Sequence, residues 1–212
     1  KNEIKATTLD SYFGIFNNGS SKHGPWDPGK TGSSGLNEKE INLSIADKLK
    51  MFLEQGGAEV YVTRDEDEAL GESKSADMKK RIEAVMNSGA DIMVSIHQNS
   101  FPNKNAKGAQ VFYFSKSEEG KLLAQYVQKS LTDILDEKNQ RVAKENSSYY
   151  ILKHTEIPSV IIECGFLSNP QEEKSLNNEE YQLRAAWAIY DGICSYFEEK
   201  DSEKSDSSFV GI

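Results

Sequence analysis

Two unbroken apolar runs constrain this chain more than any other feature. Ile92, Met93, Val94 and Ile96 fill the stretch DIMVSIHQNS, and Val160, Ile161 and Ile162 fill SVIIECGF. Runs so short and so continuous suit strands buried on both faces, as in a sheet with helices packed above and below. Each run then stops at a polar residue. His97, Gln98 and Asn99 close the first, and Glu163 closes the second. Open α/β sheets place their ligand sites at strand ends. A carboxylate there is costly unless it is paired, protonated or put to use. A lone histidine at the end of a strand also has a plain reading as a hydrogen-bonded core imidazole, so its partners decide the matter.

The rest of the chain alternates. Residues 5–10 (KATTLD) read as a first strand, and residues 14–35, dense in Gly, Ser and Asn, read as irregular. Apolar positions 41, 45, 49, 52 and 53 make a helical stripe that stops at Gly56 and Gly57. AEVYVTR alternates as a strand. Residues 75–88 predict a helix with Met78, Ile82, Val85 and Met86 on one side. AQVFYF reads as a strand, 119–135 as a long amphipathic helix, 149–152 as a short strand, and 181–197 as a closing helix. This order predicts a single α/β domain over residues 1–198, with a twisted, mostly parallel or mixed sheet of about six strands flanked by helices. A charged, serine-rich tail at 199–212 is expected to be mobile.

Charge and composition narrow the function. A formal net charge of -9 argues against a nucleic-acid backbone as the main partner. No apolar stretch reaches the ~18 residues needed to cross a bilayer. Cys164 and Cys194 lack the spacing of a zinc ribbon or redox motif and read as small buried thiols, with a disulfide between them left open.

Three further residues are candidates to join His97. His23 sits between breakers in KHGPWDPGKTG, Glu38 opens the first predicted helix, and Glu163 ends its strand. An acidic residue in a first helical turn ordinarily complements the helix dipole. Yet two histidines and one carboxylate, with a fourth position open to water, form the ligand set of a hydrolytic zinc site. A second carboxylate can then act as general base.

The stretches HGPWDPG, GLNEKEINLSIADKL, VYVTRDED, ADIMVSIHQNS, GAQVFYFS and PSVIIECGFLSNPQE resemble, in order, the zinc-dependent N-acetylmuramoyl-L-alanine amidases of the amidase 3 type. GAQVFYF and the segment containing DMKKRI are most similar to the germination-specific amidases of spore cortex. The resemblance implies that His23, Glu38 and His97 bind Zn2+ and that Glu163 is the catalytic glutamate. It implies hydrolysis of the amide between N-acetylmuramic acid and L-alanine, on peptidoglycan glycan strands bearing stem peptides. It also implies export to the cell wall or spore cortex, with any signal or anchor outside this chain.

Members of the family usually run from a strand ending in Asp straight into the first histidine motif. Here SYFGIFNNGSSK intervenes, so residues 11–22 read as an insertion in the loop carrying His23, and as a place for an activating protein partner. That insertion also favours the competing reading, a peptidoglycan-binding or regulatory protein with a degenerate site. Asn99 points the same way as His97 along an extended chain and either orients substrate or caps the loop. His154 reads as a surface or outer residue of a turn, Arg64 and Arg81 as ion-pair formers, and Glu40 as solvated.

Overall fold

The computed structural model describes residues 12–17, 29–63 and 73–209. The strand expected at 5–10, His23 and Arg64 lie outside them. Six strands form one sheet: β1 (Tyr12–Asn17), β2 (Glu59–Val62), β3 (Ile92–Asn99), β4 (Gln110–Phe114), β5 (Lys144–Asn146) and β6 (Ser159–Phe166), in the order β2-β1-β3-β6-β4-β5. Strands β2, β1, β3 and β6 run parallel, β4 is antiparallel to β6, and β5 is parallel to β4. The architecture is the expected single α/β domain with a mixed, helix-flanked sheet.

Alternation along the strands sends neighbouring residues to opposite faces. Ile92, Val94, Ile96, Val111, Val160 and Ile162 enter a large core. It is covered by α1 (Glu38–Gln55), α3 (Glu118–Leu135) and α6 (Glu179–Phe209), through Ile41, Ile45, Leu49, Leu53, Leu123, Val127, Leu131 and Ile189. Helices α3 and α6 approach so closely at Gly192 that a Cβ there would stand 2.5 Å from the Val127 Cα. On the other face Met93, Phe112 and Ile161 meet Val85 of α2 (Lys74–Ser88) and Ile151 and Leu152 of α4 (Tyr150–His154). The Ser73 hydroxyl caps α2 by accepting the Ala76 N–H, and Gly89 ends it at φ 72°, a conformation that favours glycine.

Several expectations are corrected. Residues 12–17 are neither irregular nor part of an inserted loop: β1 pairs in parallel with β2 on one side and β3 on the other. Tyr12, Phe13, Ile15 and Phe16 are strand formers, and a single interior Gly14 weakens a strand without forbidding it. Of the segment 11–22 expected to meet a partner, Tyr12–Asn17 is this strand and the rest lies outside the described residues. Residues 149–152 are not a strand. Asn146 Oδ1 accepts the N–H groups of Ser148 and Tyr149, a side-chain-supported turn that leads into α4. Met86 is exposed, because α2 rests on a narrow cluster that Val85, Met78 and Ile82 already fill. Without bearing on the mobility expected of the tail at 199–212, α6 runs on into it as far as Phe209, and Lys200 pairs with Glu119 of α3 and with Glu203 one turn on. Both cysteines are free thiols, Cys164 fully buried and Cys194 half-buried.

Candidate active site

The register of β3 and β6 builds the centre. His97 and Glu163 are direct partners on adjacent parallel strands, and Gln110 of β4 stands opposite Glu163 on its other side. All three follow the alternation that puts Met93, Ile161 and Phe112 on the less covered face. A register shift between His97 and Asn99 sets Asn99 against Phe166, so one strand bulges immediately past the pair. Bulges re-aim side chains and end regular pairing.

Glu38 arrives from the opposite face. As the first residue of α1 it reaches over the carboxyl end of β3, where its Oε1 lies 3.0 Å from His97 Nδ1 and accepts the Gln98 N–H at 3.2 Å. Its Oε2 accepts the Lys30 N–H at 2.9 Å. Asn42, one turn along α1, donates to Oε1 at 3.5 Å and accepts from the Gln98 amide at 3.1 Å. Glu38 is buried, whereas His97 keeps 18% side-chain exposure, so the imidazole is the open member of the pair.

Burial alone would raise the Glu38 pKa, but the hydrogen bond and charge of His97, with the Lys30 and Gln98 N–H groups, hold it below the usual carboxylate value. Burial would likewise lower His97, yet the bond and charge of Glu38, aided by Glu163, raise it. Glu163 differs. Burial pushes it up to about 7 and the Glu38 charge adds to this, against opposing pulls from His97 and Lys30. Glu163 Oε2 is buried and has no hydrogen-bond partner among the described residues. A carboxyl that titrates near neutrality beside an open imidazole is equipped to accept and return a proton.

The structure thus brings together Glu38, His97 and Glu163. An imidazole nitrogen and a carboxylate oxygen converging at one point are donor types that zinc takes, so the described residues fit two positions of a metal site. No group of three His, Cys, Asp or Glu suited to a metal occurs among the described residues. Asn99 Oδ1 accepts the Ser100 N–H at 2.8 Å, consistent with the loop-capping reading. His154 ends α4, exposed and packed on Tyr150 with ring centroids 4.2 Å apart. Arg81 is buried on Asp77 at 2.6 Å, an ion pair as expected, and Glu40 is exposed.

Sequence reasoning missed α5 (Pro170–Leu176) and the loops it ties. Asn169 caps it through the N–H groups of Gln171 and Glu172, and Pro170 stands in its first turn. Asn169 also donates to the Ala106 carbonyl, and Ser168 Oγ accepts the Phe101 N–H. Glu172 accepts the N–H groups of Gly108 and Phe166, and Glu173 accepts from Ser33 and Ser34. The stretch SNPQEE carries a legible helix start, Asn before Pro. Nothing in it names the loops.

An α/β sheet with an acid–imidazole pair and a second, near-neutral carboxyl at its strand ends defines a hydrolase-like centre. The family described as Amidase_3, N-acetylmuramoyl-L-alanine amidase, matches residues 21–195. The germination-specific N-acetylmuramoyl-L-alanine amidase of Bacillus subtilis (strain 168) is 36% identical over 186 residues, covering 84% of this chain and 78% of its own. The CwlD amidase from Clostridioides difficile, solved in complex with the GerS lipoprotein, superposes with a TM-score of 0.84 at 38% identity, over 89% of this chain and 98% of that one. N-acetylmuramoyl-L-alanine amidase AmiC2 of Nostoc punctiforme gives 0.78 at 29% identity, over 89% and 98%. The chain belongs to the N-acetylmuramoyl-L-alanine amidase family and is a hydrolase acting on peptidoglycan.

Proposed function

We propose that this protein is a zinc-dependent amidase of spore-cortex peptidoglycan, with Glu38, His97 and His23 as metal ligands and Glu163 as general base. The observation that carries the reading is the convergence of Glu38 and His97 beside Glu163, whose Oε2 is buried without a partner. When bound, zinc supplies Lewis acidity toward the scissile carbonyl and makes water acidic near neutral pH. Glu163 takes a proton of the attacking water, whose oxygen bonds to the lactyl carbonyl carbon, and passes it to the L-alanine nitrogen as the amide C–N bond breaks, so the peptide departs as a free amine and the muramic acid keeps a lactyl carboxylate. A pKa near 7 suits both halves of that transfer. Asn99, at the exit of β3, is assigned a substrate contact through its amide. The cortex assignment draws on the germination-specific relative, and a protein partner is proposed because the C. difficile CwlD is recorded with a lipoprotein. Action outside the cytoplasm follows from the substrate.

The test combines metal content with product analysis. Purified wild-type protein is expected to hold near-equimolar zinc and to release peptides beginning at L-alanine from cortex peptidoglycan. Glu163→Gln should keep the zinc and lose roughly 10²- to 10⁴-fold in rate. Near-normal cleavage by that variant with zinc still bound would reject the role given to Glu163.

A further inference from the structure

We infer that Glu173, on α5, is a positioning residue for Glu38, and that it sets metal affinity through the loop at residues 29–37. The inference rests on the reading of Glu38 as a metal ligand. At its own helix start, Glu38 has a long 3.5 Å bond from Asn42 to Oε1, and the Asn37 side chain caps no backbone N–H but donates to Glu40 instead. What fixes its outer oxygen is the Lys30 N–H, at the far end of the loop. The Glu38 N–H in turn donates to the Lys30 carbonyl at 2.8 Å, and Thr31 bridges to Asn37, so the loop closes on the ligand itself.

Apolar burial holds that loop only at its end, where Leu36 packs against the large core. Its sequence is KTGSSGL, and Lys30, Thr31, Ser33, Ser34 and Gly35 are exposed. Its anchor is a carboxylate some 140 residues later in the chain. Glu173 accepts the Ser33 hydroxyl at 2.5 Å, the Ser34 N–H at 2.8 Å and the Ser34 hydroxyl at 2.7 Å. These bonds hold its carboxyl below the usual value, although burial opposes them. Gly32 passes so close that any Cβ would overlap the Glu173 carboxylate. Glu173 is only 4% exposed, on a helix whose Leu176 is seated in the large core. A rigid element thus grips the loop, the loop presents the Lys30 N–H, and that N–H orients Glu38. Groups that orient a metal-binding side chain typically account for 10- to 100-fold in affinity.

The experiment measures zinc affinity by chelator competition on the full chain, beside urea unfolding in excess chelator. Wild type, Glu173→Ala, Glu173→Gln and Ser130→Ala are compared. Ser130→Ala removes a hydrogen bond from Ser130 to Asp191, between α3 and α6 and away from the loop, and so controls for stability alone. Glu173→Ala is expected to bind zinc about 10- to 100-fold more weakly than wild type. Glu173→Gln, whose amide oxygen still accepts one of the serine donors, should fall between the two and keeps the test open if the alanine variant does not fold. Ser130→Ala should bind as wild type does. Wild-type zinc affinity in folded Glu173 variants overturns the inference whatever their stability. A wild-type protein that binds no zinc overturns the ligand role of Glu38, and this inference with it.

Discussion

On one face of the sheet, α1, α3 and α6 press aliphatic side chains onto Val94, Ile96, Val160 and Ile162. On the other, α2 and α4 cover little more than Met93, Phe112 and Ile161, and the same strands run on to His97, Glu163 and Gln110. One residue along β3 separates a fully buried isoleucine from the open imidazole. The lesson is a division of labour by alternation. A thick apolar layer fixes the strands, so that polar groups on the thin side can be held in costly surroundings. A one-residue slip of β3 would exchange the two sets.

The comparison breaks most visibly on the thick side. Leu131→Ala, in α3, should lower the unfolding free energy by about 2–5 kcal/mol, with the rate per folded molecule unchanged below the melting range. Urea unfolding and a rate measurement on the same sample check it, and a large loss of rate without loss of stability would contradict the division.

Glu163 tests the thin side through pH. Its folded-state pKa is raised from 4.5 to about 7, chiefly by burial. The folded protein therefore holds a proton that the unfolded chain releases between those values. Stability from this group is fully present below pH 4.5 and is lost as the pH climbs through about 7. With metal chelated, wild type should lose on the order of 1–3 kcal/mol over that window relative to Glu163→Gln. Parallel pH profiles for the two proteins would refute the burial argument.

Gly192→Ala should force α3 and α6 apart and cost about 1–3 kcal/mol, again without touching the site. The smallest effect is chemical. Cys164, on the thick side, has its thiol pushed up to about 12 by burial, whereas Cys194 is half-buried. A thiol reagent should label Cys194 in the native protein and reach Cys164 only on unfolding. Equal labelling rates would show the thick layer to be open.

Much of the scaffold was legible because its signals are local. The stripe at 41, 45, 49 and 53 gave α1, and the run ending in SIHQN gave β3 with His97 at its exit. The misreadings also have local causes. Gly14 outweighed the strand-forming residues around it in β1, and Tyr149 and Tyr150 lent a strand character to what became a short helix. In the site, Glu163 stood out as a carboxylate closing an apolar run. Glu173 did not, since an acidic residue in the first turn of a helix looks like any other.

The sequence by itself determined which segments alternate, which faces of them are apolar, and that His97 and Glu163 end buried strands. Hydrophobic periodicity acts over a few residues, so composition and spacing suffice for it. Only the tertiary structure decided that His97 and Glu163 are register partners, that Glu38 crosses from the other face to meet them, and that Glu173 grips the loop behind Glu38. Those contacts join residues 59 to 139 positions apart. Strand register and loop closure set them, and neither leaves a mark on the residues nearby in sequence.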